Sequence, residues 1–558
     1  MNKTRNLVIA ITVVILFIMV GSVGMLVRGA FSSIMSGAGG ISVSSGDTVA
    51  DIAQQLSYST AEPVKAPVSM NNTLYDELPE ITKYPLQVEG RGDINVEVFT
   101  SGEKAGEGND SWLIDVARAY NNEQHKTSSG KSISMSVRSV PSGTAADYLI
   151  SGKHLPDMYT PSNELFGDYA IALGADLTLF QRRTVGNVAG ILVKKDATYQ
   201  SAGGVIDAVI SGSYNLGYTN PQTSAAGINL LMEILKDFGA GDITSSAAKE
   251  AFASFNKNIP YIAFTTQQMR DSANKGGLDG LVTEYQAYIN DQALVNSYKF
   301  IPYGQRHDNP LYIVGQSSRD ADHMEAYQDI YDCMMRDTFQ RTATDYGFNA
   351  MDDYHSSYTT DGNEVIQALA TYKTDKDGGR EVIAVFVADC SGSMEGAPLQ
   401  QLKESISNGM QYINENSKIG LVSYATNVTV EVPIATCDFT QKSYIQGALN
   451  RLSASGATHS YDAVIIGLDM LQKEAAKSPN AKCMLFLLSD GQQQGGLSFN
   501  AVQGAIELSE IPIYTIGYTS SADMKSLSQL SNINEAASIS ADTEDIIYRI
   551  KSLFNAQL

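Results

Sequence analysis

The chain has 558 residues, 43% of them hydrophobic, with a formal net charge of −22 and a pI near 4.7. That balance argues against nucleic acid and anionic membrane surfaces as partners, because both repel an acidic protein. Four cysteines (Cys333, Cys390, Cys437 and Cys483) are too few for disulfides to be the main scaffold, though Cys437 and Cys483 share the C-terminal domain and could pair, and with no Cys-x-x-Cys pair and no His cluster they signal no zinc.

Lys3 and Arg5 precede an uncharged apolar run over 7–27. At about 1.5 Å per helical residue this run spans roughly 30 Å, the thickness of a bilayer core. The positive flank predicts a cytoplasmic amino terminus and an extracellular bulk. A cleaved signal would have a shorter core and a small-x-small site, and Val27-Arg28-Gly29-Ala30 offers a poor one. Residues 1–28 therefore read as a single-pass anchor. Residues 29–92 read as a tether, Gly/Ser-rich to about Ser45. Ser45-Gly46-Asp47 would cap a short helix over 48–56, and a Pro-bearing irregular stretch follows. Arg91-Gly92-Asp93 matches an integrin-recognition tripeptide, a string that arises by chance.

Residues 93–350 alternate short strands and helices. Ile94–Thr100 reads as a strand, 111–120 as a helix, and 132–138 as a strand with Ile133, Met135 and Val137 alternating against polar neighbours. A helix over 145–151 and an edge strand over 155–160 complete a βαβ pattern and hence a mainly parallel sheet. Phe99-Thr100-Ser101-Gly102, the run Leu155 to Ser162, Thr219-Asn220-Pro221-Gln222-Thr223-Ser224, Gly280 to Tyr285 and Asp308-Asn309-Pro310-Leu311-Tyr312 together resemble a bacterial type 2 solute-binding protein. The resemblance implies two lobes with a small solute or anion between them. A hydroxyl-rich turn feeding a helix start presents N–H groups and a positive dipole end to an anion. Thr223 and Ser224 are the expected donors, with Ser101, Thr160 and Ser162 facing them and Glu284 on the return strand near the cleft. Arg182 and Arg183, beside Thr184, offer charge near a lobe crossover, or else form a solvated face.

Residues 351–380 read as a hinge: a polar loop, one helix over 364–372, and a short hydrophilic link over 373–380. Residues 381–558 begin with a buried strand over 382–388 that delivers Asp389-Cys390-Ser391-Gly392-Ser393 onto a loop. An amphipathic helix over 398–414, a hairpin over 419–432, a helix over 461–473, buried strands over 484–488 and 511–517, and a closing helix over 545–554 follow.

Asp-x-Ser-x-Ser at the end of a buried strand resembles the metal-ion-dependent adhesion site (MIDAS) of the von Willebrand factor A domain. The family adds a Thr before a helix, matched by Thr458, and an acid after a later buried strand, matched by Asp490. The resemblance implies that Asp389, Ser391, Ser393, Thr458 and Asp490 hold Mg2+, or Mn2+ or Ca2+, since such oxygen ligands suit hard cations. It leaves one metal position open for an Asp or Glu of a partner protein. As a common turn and helix-capping string, Asp-x-Ser-x-Ser alone is weak evidence for metal; five matches in order carry the reading. Cys390 fills an unrestricted slot as a small buried residue.

The expected architecture is α/β: an N-terminal transmembrane helix, a two-lobed type 2 solute-binding-like module, then a Rossmann-like von Willebrand factor A domain. The expected function is metal-dependent protein–protein adhesion at a bacterial cell surface, without catalysis, since Ser391 has no His-plus-acid context. The alternative is a solute receptor or transporter-associated binding protein whose A domain recruits partners.

Overall fold

The structure, a computed structural model, describes residues 43–44, 46–68, 73–259, 261–263, 269, 278–316, 319–518, 522–534, 536, 538–541, 548, 551 and 553–554. Among them no helix is long and apolar enough to cross a membrane, and the expected span at 7–27 lies outside them.

The described chain enters through the helix Val49–Ala53 and a short strand, β1 (Tyr58–Thr60). The first lobe of the central module follows: β2 (Leu86–Val88), β3 (Ile94–Thr100), β4 (Ile133–Ser139), β5 (Met158–Thr160) and β6 (Leu177–Gln181). The second lobe holds β7 (Ala189–Lys194), β8 (Leu216–Thr219), β9 (Tyr261–Ala263), β10 (Gly280–Glu284) and β11 (Tyr298–Pro302), and β12 (Leu311–Val314) returns to the first. The sheet orders are β2-β4-β3-β5-β12-β6 and β11-β7-β10-β8-β9. β3 runs parallel to β4 and β5, whereas β7 and β12 run antiparallel to their neighbours. β5 lies between β3 and β12, so the strand read as an edge is interior.

The two crossings between lobes touch. Asn187 and His307 form an antiparallel bridge, with Asn187 N donating to His307 O at 2.8 Å and the reverse bond at 3.0 Å. Ile133, Met135 and Val137 are buried as their alternation predicts, but Ser134 and Ser136 are buried too. Helices cover one face, and loop amides satisfy the serines on the other: Gly92 N donates to Ser134 Oγ at 2.7 Å and Gly90 N to Ser136 Oγ at 2.9 Å.

The C-terminal sheet contains β13 (Val382–Asp389), β14 (Lys418–Tyr424), β15 (Val428–Thr436), β16 (Lys482–Ser489), β17 (Ile513–Tyr518) and β18 (Ser538–Ala541). Its order is β1-β15-β14-β13-β16-β17-β18, with β13 at the centre and parallel to both neighbours. Every residue of β13 is buried. Ala384, Phe386 and Ala388 pack under Leu399, Leu402, Ile406 and Ile445 on one face; Ile383, Val385 and Val387 pack under Val464 and Leu468 on the other. Each such Val, Ile or Phe contributes about 1.5–3 kcal/mol, so the strand end that carries Asp389 is held rigidly.

One expectation on organisation changes. Residues 46–66 of the expected tether are built into the C-terminal domain, whereas Leu78 and Leu86–Val88 (β2) join the central module. Thr48 and Asp51 form a capping box for Val49–Ala53, Val49 and Ile52 join the core, and β1 pairs in parallel with β15. The three side chains of β1 are exposed, so the strand carries no hydrophobic signal, and an edge tolerates the nearby prolines. The short hinge over 351–380 predicts that its two domains stay close, and it packs. Its helix runs Gly362–Asp375 and buries Val365, Ala368 and Tyr372 against the central module, while Lys376 and Asp377 are also buried. Lys376 Nζ donates to Phe554 O at 3.2 Å, which ties the link to the end of the chain. All four cysteines are free, Cys437 and Cys483 included.

Candidate functional site

Asp389 ends β13, and its carboxylate is fully enclosed. Oδ1 accepts from Ser391 N at 2.8 Å; Oδ2 accepts from Ser489 Oγ at 2.6 Å and Tyr424 Oη at 3.0 Å. Ser391 Oγ lies 3.1 Å from Ser393 Oγ. Thr458 and Asp490 are buried. The Thr458 hydroxyl has no hydrogen-bond partner among the described residues, and Asp490 Oδ1 accepts from Gln492 N at 3.2 Å.

Backbone bonds tie these loops together. Gly392 N donates to Gly456 O at 3.0 Å, Ser455 N to Cys390 O at 2.8 Å, and Gln494 N to Thr458 O at 3.0 Å. Gly456 has φ +83°, and a Cβ there would meet Thr426 Oγ1 at 2.6 Å, so glycine permits the turn that presents Thr458. All five sequence-predicted residues thus lie on three loops stitched at the carboxyl edge of one sheet, where open α/β sheets bind ligands.

The electrostatics are one-sided. Burial raises the Asp389 pKa above the ordinary carboxylate range; hydrogen bonds from Ser391 and Ser489 oppose the shift and the Asp490 charge adds to it. Neither carboxylate has an ion pair among the described residues. Among the described residues no three His, Cys, Asp or Glu side chains gather there, so the donor set is two carboxylates with hydroxyls. Burial pushes the Cys390 thiol up to about 12, which suits an inert core residue. His459 turns to Asp462 at 3.6 Å. Tyr424 and Ser489, which hold Asp389, carried one signal in the sequence: each ends a buried strand beside β13.

In the central module Ser101 and Ser162 come together, their hydroxyls 3.2 Å apart. Thr160 is buried, and its carbonyl accepts from Lys104 Nζ at 3.1 Å. Ser224 acts as a helix cap, accepting from Gly227 N at 3.3 Å and lying 2.6 Å from Thr219 Oγ1. The Thr223 carbonyl accepts from Gly143 N of the other lobe at 3.2 Å. Glu284 binds His307 Nδ1 at 2.8 Å and Asn187 Nδ2 at 3.3 Å. Asn163 Nδ2 and Asn229 Nδ2 approach His307 Nε2 at 3.0 and 3.1 Å, so Nε2 accepts and the ring proton toward Glu284 sits on Nδ1. Arg182 and Arg183 point elsewhere, to Glu164 at 3.0 Å and Asp352 at 2.6 Å.

Sequence reasoning stopped one residue short of the acid and base in this cleft, Glu103 and Lys104. Burial pushes the Lys104 ammonium down to about 8. Burial also disfavours the Glu103 carboxylate, but Lys104 and the hydroxyls of Ser101 and Ser162 outweigh it and hold its pKa below the usual range. Glu284 goes the other way, raised by burial and by the Glu103 charge.

Residues 384–555 match the family model of the von Willebrand factor type A domain, and 105–349 that of the bacterial extracellular solute-binding protein. Over 112 residues the chain is 32% identical to a von Willebrand factor A domain-containing protein of Dictyostelium discoideum, covering 19% of this chain and 11% of that one. Over 159 residues it is 26% identical to inter-alpha-trypsin inhibitor heavy chain H1 of Mesocricetus auratus, covering 27% and 17%. The chain thus spans only a small part of these relatives. Similar solved structures are a von Willebrand factor type A protein from Catenulispora acidiphila (17% identity, TM-score 0.29, 32% of this chain and 42% of that one) and a periplasmic thiamin binding protein (13%, 0.38, 50% and 95%). The chain joins a bacterial extracellular solute-binding module to a von Willebrand factor type A domain.

Proposed function

We propose that this is a non-catalytic extracellular binding protein, anchored through 7–27, whose C-terminal domain grips partner proteins through a divalent cation. Asp389, Ser391, Ser393, Thr458 and Asp490 would hold Mg2+, or Mn2+ or Ca2+ in its place. The ion would supply positive charge to a partner's Asp or Glu.

One observation carries this reading: two buried carboxylates share a loop cluster with three hydroxyls, and among the described residues no cationic side chain pairs with either. Buried charge without a counter-ion is costly. Oxygen donors of this kind fit a small divalent cation better than a zinc-type ion.

The test is calorimetry with Mg2+ on the full-length protein, beside pull-down from intact cells with and without EDTA. Cation uptake, with partner capture lost in EDTA and restored by Mg2+ or Mn2+, is expected. Partner capture that ignores EDTA would sink the reading.

A further inference from the structure

The first-lobe donors that face the cleft are already taken. Ser101 Oγ and Ser162 Oγ both donate to one oxygen, Glu103 Oε1, the second at 2.6 Å. Lys104 Nζ stands 3.8 Å from that oxygen and 3.0 Å from Ser101 Oγ. Lys104 is fixed there by Asn309 Oδ1 at 2.5 Å and the Thr160 carbonyl at 3.1 Å. Two hydroxyls and an ammonium around one oxygen form a donor set suited to an oxyanion. Ser101, Ser162 and Lys104 are 5%, 3% and 0% exposed, whereas the Glu103 side chain retains 16%. Glu103 is therefore the group at the cleft surface, lying over the buried donors.

The lobes meet around it. Gly143 N binds Thr223 O, Asn163 Nδ2 reaches Ala225 O at 3.4 Å, and Gln286 Nε2 reaches Asp110 Oδ1 at 2.7 Å. Glu284, from the second lobe, adds further negative charge toward Glu103.

We propose that the Glu103 carboxylate occupies the anion subsite of the central module, so that the lobes close on the chain's own side chain. Glu103 is then the residue that sets specificity, and it excludes dissolved oxyanions from the donors of Ser101, Ser162 and Lys104. This goes beyond the adhesion reading and does not depend on it. Mg2+ uptake by the C-terminal domain is a separate readout.

The experiment titrates full-length wild type and Glu103→Ala with sodium acetate and with sodium sulfate, by calorimetry and thermal melting. Wild type should bind neither anion. The Ala variant should melt lower and recover with acetate or sulfate, and adding Ser162→Ala should abolish that rescue. Millimolar or tighter binding of either anion by wild type overturns the proposal, as does a folded Ala variant that responds to neither. If the Ala variant does not fold, it is refolded with and without acetate. Recovery only with acetate supports internal occupancy, and failure in both overturns it.

Discussion

The two sites are opposite cases of charge bookkeeping. At the end of β13, Asp389 and Asp490 sit with hydroxyls and no cationic partner among the described residues. In the central cleft, hydroxyls and the Lys104 ammonium surround a carboxylate that the same loop supplies. Both are polar clusters at the carboxyl ends of strands. The first lacks a charge that must come from outside, and the second is complete. Hydroxyl-rich loops therefore do not by themselves identify a ligand, because the sign of the residual charge decides what is missing.

The largest effect should come from removing the charge that makes the first site incomplete. Asp389→Ala should abolish Mg2+ uptake and partner capture. In EDTA it should cost little stability, since it deletes a buried carboxylate repelled by Asp490. Mg2+ at a hundred times its Kd should stabilise the wild type by about 2.7 kcal/mol, and this gain should vanish in the variant. A full Mg2+-dependent melting shift in Asp389→Ala would erase the contrast between the sites.

The contact between lobes can be attacked without touching either site. A Cβ at Gly143 would meet the Gln222 carbonyl at 2.2 Å and Thr223 Cα at 2.8 Å. Both are backbone atoms, so Gly143→Leu should force the lobes apart, cost about 1–3 kcal/mol in chemical denaturation and enlarge the scattering radius. Unchanged stability and radius would mean that the lobes do not close in solution. Mg2+ uptake should be unaffected.

A smaller effect is expected one step back from the metal candidates. Ser489 Oγ donates to Asp389 Oδ2 at 2.6 Å, and its oxygen accepts from Gly491 N at 2.9 Å. Ser489→Ala frees one carboxylate oxygen to rotate and should weaken Mg2+ binding about tenfold by calorimetry, the lower end for groups that orient metal ligands. An affinity equal to wild type would show that β13 alone fixes Asp389.

What was legible in the sequence follows the same division. The C-terminal site could be read because its residues fall at the ends of buried strands, Val382–Asp389 and Lys482–Ser489, whose apolar runs announce themselves. In the cleft, Ser101 and Ser162 could be picked out by type, yet their partner Glu103 gave no such signal. An exposed acid in a turn and a carboxylate capping two hydroxyls look alike in one dimension. Helix starts at Thr48, Ser224 and Asp361 carry capping residues; the first cap was placed too early, at Ser45-Gly46-Asp47, Ser224 was read as a ligand donor at a helix start, and Asp361 was not read. β1 was illegible, because its pairing with β15 lies some 370 positions away and its side chains bury nothing.

Asp168 sharpens the comparison from a third direction, as a carboxylate with unfavourable surroundings that accepts no hydroxyl hydrogen bond among the described residues. It lies on the helix Leu165–Ala172, where the start of Gly362–Asp375 packs so closely that a Cβ at Gly362 would meet Asp168 O at 2.1 Å. Burial, then the charge of Glu164, raise its pKa from 3.8 to about 6. Because the native state holds this proton more tightly, wild-type stability falls as pH rises between those two values. The penalty is complete above about pH 6 and absent below about pH 4. Full burial would make two units worth about 3 kcal/mol; partial exposure reduces that to about 1 kcal/mol. Asp168→Asn should therefore be the more stable protein by about that amount near pH 7.5 in urea melts, with the advantage fading toward pH 4. An Asn variant that gains nothing at neutral pH would show that solvent already screens this charge, so that an uncompensated carboxylate marks a site here only where hydroxyls converge on it.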